Sequence, residues 1–237
     1  MKRKRIFPLL LVCIWILCAV SAFADVIVGL PPDPNTANCS PFGCSYNGEY
    51  QQVYTQSQFS GPITIRDLEF FNTQFNSLAT LMNSGNWTIS LSTTSADWNT
   101  LSSTYASNIG GNNTTVFSGN LSQPWAFGDT LHINLTTPFT YTPAPGANLL
   151  MDVMVTGASS PGGEIFFDTN GHNNGGNNGN TIMGRVFTSS SVTSVNSGFG
   201  LVTGFTTEVA TPEPSSLLLL GSGLVGLVGV ARRKLGK

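Results

Sequence analysis

Residues with the chemistry to bind or react are few, and they lie far apart along the chain. The segment from Asp168 to Asn180, DTNGHNNGGNNGN, is the most unusual: ten of its thirteen residues are Asn or Gly. Side-chain oxygens at Asp168, Asn170 and Asn174 could meet a calcium ion, which takes about six to eight oxygen ligands. Only Asp168 is charged there, His172 stands where an EF-hand loop has its third oxygen ligand, and no Glu closes the loop. Calcium therefore stands beside two other readings: a hairpin loop whose Asn and Gly tolerate positive φ, or a polar surface for a glycan.

Cys39 and Cys44 form C-x4-C around Ser-Pro-Phe-Gly. Two thiols in an oxidising compartment predict a disulfide with Phe42 and Gly43 at its tip. Cys13 and Cys18 lie in the N-terminal leader, so a thiolate metal site would lack its remaining ligands. Asp67 and Glu69 share one strand face. Paired acids can hydrolyse a glycoside, but two acids flanking a sugar ring normally come from separate elements. His132 falls on the polar phase of a strand, which predicts a surface position. No G-x-S-x-G, H-E-x-x-H or phosphate-binding glycine loop occurs. No catalytic residue is assigned, and the chain reads as a non-enzyme without a cofactor. Among the tryptophans, Trp87 shares a phase with Ile89 and Leu91 and belongs to a core. Trp125, in Gln-Pro-Trp-Ala-Phe-Gly, sits in a loop-like stretch and is the best candidate to stack on a sugar.

The elements that must position these residues are strands. Trp87, Ile89 and Leu91 alternate with polar neighbours, as do Leu131, Ile133 and Leu135. Ile63 and Ile65 start a run that continues to Leu68, Phe70 and Phe71 after a phase change at Asp67, which predicts a bulge. Residues 148–156, apolar on both phases, predict a central strand, and further strands are expected near 49–59, 114–121, 163–168, 181–188 and 199–208. Trp98, Leu101 and Tyr105 follow Asp97 at helical spacing and predict one short helix or helical turn over 97–106. The expected fold is all-β: an antiparallel β-sandwich, jelly-roll-like, with one short helical insertion. An immunoglobulin-like sandwich is the second choice, weakened by the missing Cys…Trp…Cys spacing.

The charges sit at the ends. Of ten Lys and Arg, four are in Lys2–Arg5 and four are Arg232, Arg233, Lys234 and Lys237. Between them Arg66 and Arg185 face twelve acids, a net −10. Such a body repels a polyphosphate, so nucleic acid is excluded as a partner. Residues 1–24 read as a signal peptide, with a basic start, an apolar run, and Ala22 and Ala24 before cleavage at Asp25. The body spans 25–210. Residues 211–237 form a tail in which 215–231 are 17 uncharged residues, about 25 Å as a helix, followed by Arg232, Arg233 and Lys234. That order predicts a transmembrane helix with its basic end in the cytoplasm and the body outside.

Pro212-Glu213-Pro214, a short apolar helix and an arginine cluster, in that order and spacing, resemble the PEP-CTERM protein-sorting signal. The resemblance implies export through the inner membrane of a Gram-negative bacterium by way of signal peptidase. It further implies insertion in that membrane and recognition by an exosortase that cleaves near Pro212–Pro214. The protein would then reach the cell surface or the extracellular space. Cargo of this kind is associated with extracellular polysaccharide and biofilm, so a structural or adhesive module is the leading expectation. A carbohydrate-binding module comes second and a secreted hydrolase third.

Overall fold

The computed structural model describes residues 23–208 except 77, 83, 161, 172–179 and 190. Contacts divide the chain into Ala24–Thr207, which carries the sheets, and a second unit of the two ends, Met1–Phe23 with Glu208–Lys237. The elements are strands β1 (Phe23–Val28), β2 (Ala37–Asn38), β3 (Gly48–Tyr54), β4 (Ile63–Phe71), β5 (Asn86–Thr94), β6 (Thr114–Asn120), β7 (Thr130–Tyr141), β8 (Asn148–Thr156), β9 (Phe167–Asn170), β10 (Met183–Ser189), β11 (Val192–Ser197), β12 (Gly200–Leu201) and β13 (Thr203–Glu208), with 3-10 turns at Gln56–Gln58 and Tyr105–Ser107.

They form an antiparallel β-sandwich. One sheet runs β1-β13-β4-β7, the other β11-β10-β3-β8-β5-β6, and a small sheet β12-β9-β2 stands beside them. If β2 and β9 to β12 are set aside, the remaining eight strands run first-eighth-third-sixth in one sheet and second-seventh-fourth-fifth in the other. The core lies between the two large sheets. Trp87, Ile89 and Leu91 of β5, Leu131 and Ile133 of β7, and Leu68 and Phe70 of β4 all point into it. Edge-to-face ring pairs, Tyr54–Phe205 and Phe59–Tyr141 with centroids 5.0 Å apart in each, tie the layers together.

Strand β8 is central, between β3 and β5, as its two-phase apolar pattern predicts. Its core face carries Met151 and Val153, while Leu150 on the opposite face joins Val53, Val186 and Leu101 in a smaller cluster. The loop after β5 covers that cluster and takes the shorter of the two predicted forms, helical turns rather than a helix. Only a turn closed by Thr100 N–H on Asp97 O and the 3-10 turn at Tyr105–Ser107 appear there. Side chains have taken backbone donors along this stretch, including the Ser102 and Thr104 N–H groups that a helix would use. Trp98 N donates to Asp97 Oδ1 (2.7 Å), Ser102 N to Asn108 Oδ1 (2.8 Å) and Thr104 N to Ser102 Oγ (3.0 Å). Near 163–168 the chain is extended only from Phe167 onward. Strands β1 and β11 carry too little apolar alternation to be marked from sequence.

The irregularity expected at Asp67 is present. Ile65 pairs with Phe139 while Asp67 pairs with Asn134, so Leu135–Pro138 of β7 stand opposite Arg66 alone. Pro138 has no N–H to give a ladder, which suits a bulge. The shift lets Ile65, Leu68 and Phe70 all enter the core and turns Asp67 and Glu69 to the outer face.

Candidate functional site

The predicted Cys39–Cys44 disulfide is formed. Its tip is not offered to solvent: Phe42 is fully buried, with its ring 4.5 Å from that of Phe70. A Cβ at Gly43 would come within 2.0 Å of Ile165 O, so only glycine allows this close approach. Trp87 Nε1 donates to Pro41 O (3.1 Å), fixing the loop on the core.

Trp125 is a correction. It is 5% exposed, with its ring edge-on to Phe167 at 5.7 Å, so it is a core residue and offers no face to a sugar. The loop-like composition around it is misleading, because a short loop between two sheets can still send its one large apolar side chain inward. Trp98 is half-buried. Asp168 is a second correction. It lies on β9, 2% exposed, and both oxygens are engaged: Oδ1 accepts from Thr73 N (2.8 Å) and Gln74 N (3.0 Å), Oδ2 from Thr73 Oγ1 (2.6 Å). These donors take three of the carboxylate's four lone-pair sites, so the buried group faces protein N–H and O–H rather than a loop ion. Asn170 likewise turns its amide nitrogen to Gly29 O (2.8 Å) and Pro31 O (3.0 Å), tying the loop after β1 to β9. Asn174 lies outside the described residues, as do the signal residue Ala22 and the tail with Pro212, Glu213, Pro214, Arg232, Arg233 and Lys234. Ala24 and Asp25 fall within β1, so cleavage between them would leave Asp25–Val28 as the strand.

Two acid clusters emerge that strand pairing alone creates. On the outer face of the larger sheet, Glu49 of β3 and Asp152 of β8 are neighbours. Gln51 Nε2 bridges them, 3.2 Å from Asp152 Oδ1 and 3.4 Å from Glu49 Oε1. Burial, then the Asp152 charge, pushes the Glu49 carboxyl up to about 7. Asp152 is raised as well, by burial first. On the outer face of the other sheet, His132 of β7 pairs in register with Glu69 of β4, beside Asp67. His132 Nδ1 lies 3.3 Å from Asp67 Oδ1 and 3.5 Å from Glu69 Oε1. Burial raises the Asp67 carboxyl, and the His132 contact opposes that shift. Glu69 Oε1 also accepts from Thr206 Oγ1 of β13 (3.0 Å). Alternation alone puts Asp67 and Glu69 on one face but cannot bring His132 to them, since the two strands are some sixty residues apart in the chain.

The one buried cation of the body, among the described residues, is Arg185. Its guanidinium lies 4.4 Å from the Phe187 ring centroid and 4.2 Å from that of Phe199, and Nε donates to Asn196 Oδ1 (3.0 Å). It braces the β10–β11 hairpin.

Comparison with curated proteins gives no match. The family model described as the PEP-CTERM protein-sorting motif matches residues 210–234. The chain thus carries a PEP-CTERM protein-sorting motif at its C-terminal end, which marks an exported protein sorted by an exosortase.

Proposed function

We propose that the body is a non-catalytic, jelly-roll-like module, structural or adhesive in the extracellular polysaccharide or biofilm matrix of a Gram-negative bacterium. In this reading residues 215–231 anchor it in the inner membrane until the exosortase cuts near Pro212–Pro214. The observation that carries the reading is the sorting motif at 210–234, which begins two positions after the end of β13. The interleaved strand orders of the two sheets support a jelly-roll body. Against a glycoside hydrolase, each acid pair is in mutual contact or bridged by one side chain, whereas two catalytic carboxyls stand about 5–9.5 Å apart around a sugar. A carbohydrate-binding module is the second reading, and it loses Trp125 as a stacking surface.

Removing residues 211–237 in the native host tests the role. The truncated protein should still be exported and folded but be lost from the surface and matrix fraction. Equal retention of the truncated and full-length forms would count against the reading.

A further inference from the structure

We infer that the outer face of the β1-β13-β4-β7 sheet holds a zinc-type divalent cation at Asp67, Glu69 and His132. One ligand atom from each of the three lies within 4.8 Å of the others. The two imidazole-to-carboxylate separations, 3.3 and 3.5 Å, are long for charge-assisted hydrogen bonds, which run at about 2.7–2.9 Å. They match the spacing of ligands around a tetrahedral ion: bonds of about 2.0–2.2 Å put neighbouring ligand atoms roughly 3.3–3.5 Å apart. Both separations are measured from His132 Nδ1, which already hydrogen-bonds Asp67 Oδ1, so an ion would enter by replacing that contact.

The scaffold holds that spacing. Glu69 and His132 are directly opposed in an antiparallel pair, and Asp67, two positions before Glu69 in the same register, shares their face. Thr206 fixes one Glu69 oxygen, and the carboxylate lies in a notch over Gly204, where a Cβ would come 2.7 Å from Oε2. Such outer contacts orient ligands in metal sites. Two carboxylates and a neutral imidazole balance a divalent charge, and the imidazole favours zinc over calcium or magnesium. The His132 side chain is 56% exposed, leaving the fourth position open to water or to an oxygen from another molecule.

The test is calorimetric titration of the full-length protein, in detergent and without a polyhistidine tag, with zinc chloride near pH 7.5. One ion should bind per chain, and calcium should give no heat. His132→Ala and Glu69→Gln should each weaken zinc binding at least about tenfold. His172→Ala should leave it unchanged. The chain has two histidines, so imidazole NMR gives an independent reading: zinc should move the His132 signals in the wild type. Absence of zinc binding overturns the proposal. So does zinc binding that survives both H132A and E69Q, or that H172A abolishes. Circular dichroism melts of the variants separate loss of the ion from loss of the fold.

Discussion

Asp168 shows how one carboxylate can be more useful to the fold than to a ligand. It takes three hydrogen bonds in a site that solvent barely reaches, and so holds the turn after β4 against β9. Asp168→Ala removes three hydrogen bonds to a carboxylate, but Thr73 and Gln74 are themselves exposed and water can re-satisfy them, so the expected cost is about 2–3 kcal/mol. A urea melt measures it. A loss below about 1 kcal/mol would mean that the carboxylate is dispensable. In sequence this residue opens an Asn- and Gly-rich run and reads as a loop ligand. Nothing local announces that Thr73 and Gln74, roughly a hundred residues earlier, claim its oxygens. Trp125 is hidden from sequence for the same reason. Cys39 and Cys44 are legible because a five-residue separation settles their pairing without any knowledge of the rest of the fold.

At the level of elements, the pairing of β3 with β8 brings two acids together. Glu49 and Asp152 stand diagonally across the two strands, since Gln51 is the residue directly opposite Asp152. Below about pH 4.5 the Glu49 carboxyl is protonated in both folded and unfolded chains. Between 4.5 and about 7 the folded state keeps a proton that the unfolded chain releases, so stability falls as pH rises through that window and the loss is complete above it. Glu49→Gln removes this cost. Because Glu49 remains partly solvated, the gain is about 1 kcal/mol or less, roughly 2–4 °C in Tm above pH 7, with no gain at pH 4. Thermal melts of the variant across that range check the sign; stabilisation at pH 4 alone would contradict it. Strand positions such as β5, β7 and β8 are readable because alternation and two-sided apolarity are local patterns. The neighbours of each strand are not, because pairs such as β4 with β7 join residues about sixty positions apart. The reduction of this segment to short turns marks another boundary. The spacing of Trp98, Leu101 and Tyr105 is a fair signal, but Asp97, Ser102 and Asn108 offer the backbone nearer acceptors.

For the whole molecule, charge separates address from cargo. Eight of the ten basic residues lie outside the sandwich, in the first five residues and the last six, and the stretch between them, from Asp25 to Pro214, carries ten excess negative charges. The body ends on β13, which lies inside its sheet between β1 and β4. Only three residues separate Glu208 from Pro212, so a cut within Pro212–Pro214 spares every strand among the described residues. A cut after Ala24 removes two residues of β1, an edge strand, and leaves its last four. Both processing steps are thus compatible with a sandwich that stays folded. The most direct test is intact-mass spectrometry of the protein recovered from the surface of its own host. The account predicts a chain that begins at Asp25 and ends within Pro212–Pro214, with or without a covalent addition at its new C-terminus. A chain that still ends at Lys237 would contradict it.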